Sequence, residues 1–411
     1  MSITIHHPGS VLRGSINLPL SKSESNRILI LQALSRGKVM AGEVSNARDT
    51  KLLQQALASG AQGIDIRDAG TAMRFLTAYY CAAGLHKILS GSERMNERPI
   101  GILVDALRDI GFNITYLQKE GFAPLEIIPV DQSNLKGEVR IAGNVSSQYI
   151  SALMMIAPVL EKGLTIIFTT SLSSKPYIDL TAKLMRDAGI ESEMKENSIH
   201  IPHQPFEELT MPTGADWSAA SYWFSMASLA KDAKLTLQKL NLDSFQGDKQ
   251  IATWSNYFGI SIEPNPHGLM LHSNHSDQTN QENQSQLFDF THYPDLAQTV
   301  IVLCAARNIT ATFTGLQSLR IKETDRIAAL QNELQKFKVK LEEVKEGLFQ
   351  LSGTFHMSHQ TIKTYNDHRM AMAFAPLALL GKITIENPEV VEKSYPDFWK
   401  EMEKAGFEIE R

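Results

Sequence analysis

The residues of this sequence best suited to chemistry are a set of lysines and arginines placed beside the polar entries to apolar segments. Lys22 and Arg27 flank one such entry, Arg74 stands at a second and Arg369 at a third. Further basic residues occur in RMNERPIG (Arg94, Arg98), RIKETDRIAAL (Arg320, Lys322, Arg326) and VVEKSYPDF (Lys393). Arginine offers a planar fork that matches phosphate and carboxylate, and lysine offers a compact point charge. Any one of them, read alone, is a solvated surface charge; gathered at loop positions they imply a ligand with several negative charges. In NDHRMAM, Asp367, His368 and Arg369 directly precede an apolar helix. They cannot all face a core, so some of them face a partner. Two carboxylates stand close to these cations in sequence, Asp295 in HYPDLAQT and Glu323 in KETDR. Out of context they read as a helix cap and a helix ion pair.

Other chemistries lack their signatures. The chain has no G-x-x-x-x-G-K-[ST], no G-x-G-x-x-G and no G-x-S-x-G, which argues against P-loop, dinucleotide and serine-hydrolase machinery. His356 and His359 are not completed into a zinc set by any Cys or carboxylate pattern. No metal and no cofactor are expected. The two cysteines, Cys81 and Cys304, lie in apolar runs and read as buried thiols. A net charge of −5 gives no bulk attraction to nucleic acid or anionic membrane, so neither is an expected partner. The opening MSITIHHPGSVLRG has no secretory pattern, and no apolar run reaches the ~18 residues of a membrane span. A soluble cytoplasmic protein is expected.

The elements that must position these groups follow one pattern, repeated six times. A short polar loop runs into a helix that is apolar nearly all round, starting near Ser21, Asp68, Ser146, Ala215, Pro294 and Asn366. A helix apolar on every side is buried among other elements. Alternating segments such as KLTLQKL and KITIEN read as strands, and DRIAALQNELQKF reads as an amphipathic helix. Six small α/β modules in 411 residues, three and three, give two similar domains. Helix starts expose unpaired N–H groups and about half a positive charge, so several converging on one place build an anion site. The polar stretch Ser273 to Gln286 reads as an exposed hairpin loop.

LSKSESNR, AGTAMR, RMNERPIG, VSSQYISALMM, SKPYID, SFQGD, KETDR, NDHRMAM and KSYPDF resemble, in this order, the motifs of 5-enolpyruvylshikimate-3-phosphate (EPSP) synthases. The resemblance runs from about Gly14 to Phe398. It implies two domains of three β-α-β-α-β-β units each, an inverse α/β barrel arrangement with the active site in the interdomain cleft. The domains would be residues 20–213 and residues 1–19 with 214–411. It implies a transferase that joins phosphoenolpyruvate to shikimate 3-phosphate, needs no cofactor and is a monomer. Anionic ligands shared by two half-sites would offset the repulsion of their cations and favour domain closure.

By the same resemblance, Lys22, Ser23, Arg27, Ser146, Ser147, Ser174, Tyr177, Ser318 and Lys322 are implied to hold shikimate 3-phosphate. Lys22, Gly70, Arg98, Arg326, Arg369 and Lys393 are implied around phosphoenolpyruvate, with Gln148 touching both ligands. Asp295 matches the carboxylate beside the reacting hydroxyl, and Glu323 the one beside the methylene carbon. Either Glu323 or Lys22 would deliver the proton to that carbon. The sequence departs from the family pattern at Asp68, usually Asn, which would need turning away or pairing, with Arg74 the nearest candidate. It departs also at Phe75, often Pro, and at Ser318, usually Asn. Gly70 is kept, which implies sensitivity to glyphosate. The sister transferases that act on a UDP-linked amino sugar carry a reactive Cys where this chain reads SERMNERPIG. A non-catalytic anion-binding relative would not need every acid, base and cation position filled, as they are here. An RNA-end-processing enzyme of related architecture would want a basic, aromatic-lined groove.

Overall fold

The computed structural model describes residues 1–274 and 286–411. Its contacts divide into two compact units, one of Leu20–Thr213 and one of Met1–Pro19 with Gly214–Arg411. Each unit has its own apolar core. The exposed loop expected at Ser273–Gln286 falls, but for its ends, outside the described residues. The strands that flank it, Gly268–Ser273 and Gln286–Asp289, belong to different sheets and do not form one hairpin.

One module recurs. Among the described residues five four-stranded sheets share an order in which the first strand pairs in parallel with the second, which lies antiparallel to the fourth, and the fourth to the third. In the Leu20–Thr213 unit one sheet is Gly63–Asp65, Lys87–Ser90, Leu125–Ile128 and Asn113–Tyr116. A second is Glu138–Ile141, Leu164–Phe168, Ser198–Ile201 and Glu193–Lys195. A parallel pair needs a crossover, and the buried helices Gly70–Ala82 and Ser147–Ile156 supply it. The outer helices Gly101–Ile110 and Lys175–Asp187 lead from each second strand to a closing hairpin. The module around the helix Lys22–Leu34 is abbreviated, with two parallel strands only, Val39–Ala41 and Leu209–Met211.

The other unit is woven from distant segments. Val11–Ile16 is the first strand of the module whose helix is Trp217–Leu229, pairing with Asp232–Gln238. Ser2–His6 lies between Ile383–Glu386 and Glu408–Glu410, in the module of the helix His368–Phe374. The third module holds Gln286–Asp289, the helix Ala297–Ala306 and Ala311–Thr314. This unit therefore takes the first strand of its Trp217–Leu229 module from the run Met1–Pro19 and the rest from Gly214–Arg411, as two crossings of the chain near Leu20 and Gly214 require.

The core helices sit where their composition sends them. Every residue of Trp217–Leu229 except Ser218 is buried, and so are all seven of His368–Phe374. By contrast Arg48–Ala58 buries only Asp49, Thr50, Leu53 and Ala56, one stripe of an amphipathic helix. Cys81 and Cys304 are buried free thiols, and burial pushes both thiol pKa values up.

Because Ser2–His6 lies inside a sheet with Ile5 fully buried, Ile5→Ala removes core atoms that no other segment can replace. It is expected to cost about 2–5 kcal/mol in urea denaturation. A loss under about 0.5 kcal/mol would mean that this strand is dispensable.

Candidate active site

In the Leu20–Thr213 unit the polar first turns of three core helices carry the candidate residues. Ser21 caps the helix Lys22–Leu34 through its side chain, which accepts from the Glu24 N–H. Lys22 then donates to Asp49, a buried carboxylate of the next helix, at 3.0 Å. Arg27 is buried, and its guanidinium donates to the Ser23 carbonyl, the Thr181 and Ser151 hydroxyls and the Tyr177 carbonyl. It also lies 5.4 Å from the ring centre of Phe75. Burial lowers its pKa to about 10, with Tyr177 and Glu24 opposing the shift. A buried cation held by neutral hydroxyls and carbonyls keeps its charge available to an incoming anion.

The helix Gly70–Ala82 has no side-chain cap, because Ala69 stands before it. Its first turn is flanked by two guanidinium groups instead. A Cβ built on Gly70 would lie 2.7 Å from Arg98 Nη1 and 3.0 Å from Arg74 Nη1, so only glycine admits both at this distance. Gln148 donates to Thr71 at 3.1 Å, which ties the start of Ser147–Ile156 to that of Gly70–Ala82. Ser146 precedes this helix and is exposed, while Ser147 is buried in its first turn. Ser174 enters the helix Lys175–Asp187 in a left-handed conformation (φ 51°), which costs about 1–3 kcal/mol in a residue other than glycine. Tyr177 lies in the first turn of that same helix, and its carbonyl meets Arg27.

The second cluster belongs to the unit that contains Gly214–Arg411. Arg326, its side chain 2% exposed, opens the helix Arg326–Gln335 behind an Asp325 cap and meets three carboxylates. Asp367 lies at 2.7 Å, Glu323 at 2.9 Å and Asp295 at 3.4 Å. Arg369 meets Asp295 at 2.8 Å, and donates to its carbonyl, to the Tyr222 hydroxyl and to Ser218. Ser218 in turn donates to Asp248. The starts of the three core helices of this unit thus meet through Ser218, Asp295 and Arg369. Lys322 and Ser318 stand before Arg326, Lys322 partly buried and Ser318 exposed. Lys393 is buried at the end of the turn Pro388–Lys393.

Burial alone would raise the Asp295 carboxyl pKa, but Arg369, Lys322 and Arg326 outweigh it and hold Asp295 far below the usual carboxylate range. Arg326 is driven up against its own burial by Asp367 and Glu323. Asp248 goes the other way. Burial and the Asp295 carboxylate push it up to about 6, against the pull of Arg369 and the Ser218 hydroxyl.

Asp68, expected to need turning away or pairing with Arg74, forms its ion pair with Arg48 at 3.0 Å. Several residues of the site escaped the sequence reading. Asp49 and Thr71 are partners of Lys22 and Gln148, Phe75 had appeared only as a departure from the family pattern and not as a partner of Arg27, and Asp248 had appeared only as part of SFQGD. Nothing local marks them, since each acts on a residue from 27 to 77 positions away or on another element. Among the described residues no group of three or more His, Cys, Asp or Glu could hold a metal ion, and no helix is long and apolar enough to cross a membrane.

Solved structures resemble the whole chain. An EPSP synthase from Acinetobacter baumannii matches with a TM-score of 0.76 and 19% identity over 100% of both chains. The enolpyruvyl transferase NikO from Streptomyces tendae matches with 0.73 and 13%, over 99% of this chain and 98% of its own. The fold is thus that of the two-domain enolpyruvyl transferases. A 3-phosphoshikimate 1-carboxyvinyltransferase of Bacteroides fragilis is 46% identical over 407 residues, 97% of each chain. One from a Sulfurovum species is 34% identical over 98% of this chain and 99% of its own. The family model for EPSP synthase (3-phosphoshikimate 1-carboxyvinyltransferase) matches residues 52–402, and the chain belongs to that family. It is the family that the nine motifs resemble.

The raised Asp248 carboxyl has a consequence for stability. A carboxyl whose folded pKa lies near 6 rather than 3.8 stabilises fully below 3.8, and that contribution is lost as pH rises through about 6. Asp248→Asn is therefore expected to match the parent near pH 4 and to exceed it at pH 7, by at most about 3 kcal/mol. Urea denaturation at the two pH values checks this; a pH-independent difference would contradict it.

Proposed function

We propose that the chain transfers the enolpyruvyl group of phosphoenolpyruvate to the 5-hydroxyl of shikimate 3-phosphate. The hydroxyl oxygen bonds to C2 of phosphoenolpyruvate as its own proton leaves and C3 gains one. The tetrahedral adduct then loses the C3 proton and expels phosphate, which restores the double bond. The observation that carries this reading is the second cluster, where Asp295 and Glu323 are both held against the anion-binding type of arginine, Arg326 and Arg369.

In this reading Asp295 is the base for the hydroxyl. At rest it is ionised and a weak base, since three cations stabilise its charge. An anionic substrate that draws Arg369, Arg326 and Lys322 to itself relaxes that hold, raises the Asp295 pKa and strengthens it as a base. Phosphoenolpyruvate thereby helps activate the group that its co-substrate needs. Arg326, Arg369, Lys393, Arg98, Lys22 and the Gly70 turn take phosphoenolpyruvate. Ser23, Arg27, Ser146, Ser147, Ser174, Tyr177, Ser318 and Lys322 take shikimate 3-phosphate, with Gln148 serving both. Glu323 or Lys22 supplies the C3 proton. The reading takes the enzyme as a cytoplasmic monomer whose partners are small molecules, in keeping with a net charge of −5 and no bulk affinity for polyanions.

Phosphate release from phosphoenolpyruvate tests the reading. Release is expected with shikimate 3-phosphate and not with UDP-N-acetylglucosamine; the reverse result would move the chain to the sister chemistry. Asp295→Ala is expected to lower kcat by about 10²–10⁴-fold, with folding unchanged by circular dichroism.

Gly70→Ala gives a second test, because the new methyl must displace the Arg98 guanidinium. An overpacking cost of about 1–2 kcal/mol corresponds to a KM for phosphoenolpyruvate about 10-fold higher. Glyphosate should inhibit the parent well below millimolar concentration and Gly70→Ala less; a parent that resists at millimolar glyphosate contradicts the assignment of Gly70.

A further inference from the structure

Arg326 and Glu333 are seven residues apart on one helix, Arg326–Gln335, so they project from the same face about two turns apart. Both grip the segment that leads into the helix His368–Phe374. Arg326 holds Asp367, the cap of that helix. Glu333, buried to 1% exposure, accepts from the Tyr365 hydroxyl at 2.8 Å and from the Lys363 backbone N–H at 3.1 Å. It also meets Lys336 at 2.6 Å. Between the two grips, Tyr365 and Asn366 are consecutive residues in the left-handed region, at φ 54° and 56°. Neither is glycine, so the turn is strained and persists only because its surroundings hold it. It is this turn that delivers Asp367 to Arg326, and two residues later Arg369 to Asp295.

We infer that Glu333 is a positioning residue for phosphoenolpyruvate binding, which holds the strained Tyr365–Asn366 turn and so sets Arg369 in register with Arg326. The inference rests on the assignment of those two arginines to phosphoenolpyruvate. Glu333 touches no reacting group. It acts through the turn, and with it released Arg326 and Arg369 keep their charges but lose their common frame. Asp367 then answers to Arg326 alone, and the first turn of the helix His368–Phe374 can rotate away from Asp295.

Two variants test it. Tyr365→Phe removes one hydrogen bond and leaves the ring in place. Glu333→Leu keeps a side chain of similar size and removes both acceptors, so the Lys363 N–H and the Tyr365 hydroxyl lose their partner. Each is expected to raise the KM for phosphoenolpyruvate by roughly 10-fold, Glu333→Leu more than Tyr365→Phe, with the KM for shikimate 3-phosphate changed less than about twofold. Glu333→Asp, which restores the charge at shorter reach, should recover part of the loss. Hydrogen exchange read in parallel should quicken at the amides of Asp367 and Arg369 and stay unchanged in Trp217–Leu229. A lower thermal midpoint with both KM values unchanged would reduce Glu333 to a structural role and overturn the inference. Unchanged exchange at Asp367 and Arg369 would overturn it too, whatever the kinetics. If the parent releases no phosphate with shikimate 3-phosphate, the functional reading fails by itself, and the exchange measurement still decides whether Glu333 holds the turn.

Discussion

The buried guanidinium of Arg326, shared by Asp367, Glu323 and Asp295, is the interaction on which the Gly214–Arg411 cluster depends. A charge with a side chain 2% exposed is expensive to remove from water unless each of its donors finds an acceptor. Three carboxylates satisfy it here, and their positions follow from its own. Asp367 caps a core helix, Glu323 precedes an outer one and Asp295 stands in the turn that opens a third. One cation thus ties two modules to each other, its own, which supplies Asp295 and Glu323, and that of the helix His368–Phe374, which supplies Asp367. The cost of breaking any of these pairs, about 3–5 kcal/mol for a buried one, keeps the modules in register.

The repeated module explains why such a cation can exist. In each full copy a parallel strand pair forces a crossover, and the crossover is a core helix. Copies packed around a shared core bring their helix starts to one side of the unit, where backbone N–H groups and side chains together favour anions. The observed contacts bear the marks of that convergence. Thr71 meets Gln148 in one unit, and Ser218, Asp295 and Arg369 meet in the other. The chain's path adds a constraint, since neither unit completes its first module without a segment from a distant stretch of sequence, Leu209–Met211 in one and Val11–Ile16 in the other.

Much of this was legible in the residues. Helices apolar on all sides, such as Trp217–Leu229 and Ala297–Ala306, declare their burial by composition. What stayed hidden is pairwise. Asp49, Asp248 and Glu333 look like ordinary surface carboxylates in sequence, yet all three are buried. The reason is that each is stabilised by a group supplied by another element, Lys22, Ser218 and Tyr365 respectively, and no local pattern encodes that meeting. Backbone strain is equally invisible, because Ser174, Tyr365 and Asn366 are ordinary residue types in an uncommon conformation. The abbreviated first module also went unseen, since a missing strand pair leaves only a shorter stretch of chain.

A cluster proposed to bind anions contains about as many carboxylates as cations. The balance has a physical reason. Unpaired guanidinium groups brought together in a protein interior would repel one another and resist folding, so the resting site carries its own counter-charges. Asp295 and Glu323 serve as those counter-charges and, in the proposed reaction, as the groups that exchange protons. A substrate phosphate or carboxylate then displaces one kind of anion with another, and the net charge seen by Arg326 and Arg369 changes little. In the proposed reaction Asp295, whose pKa these cations hold low at rest, loses part of that stabilisation, so that binding energy is converted into basicity only while the anion is bound. The raised carboxyl of Asp248, held behind Arg369 by Ser218, places a further ionisable charge behind that exchange. Ser218, which donates to Asp248, also accepts from Arg369, so Arg369 has a protein acceptor besides Asp295.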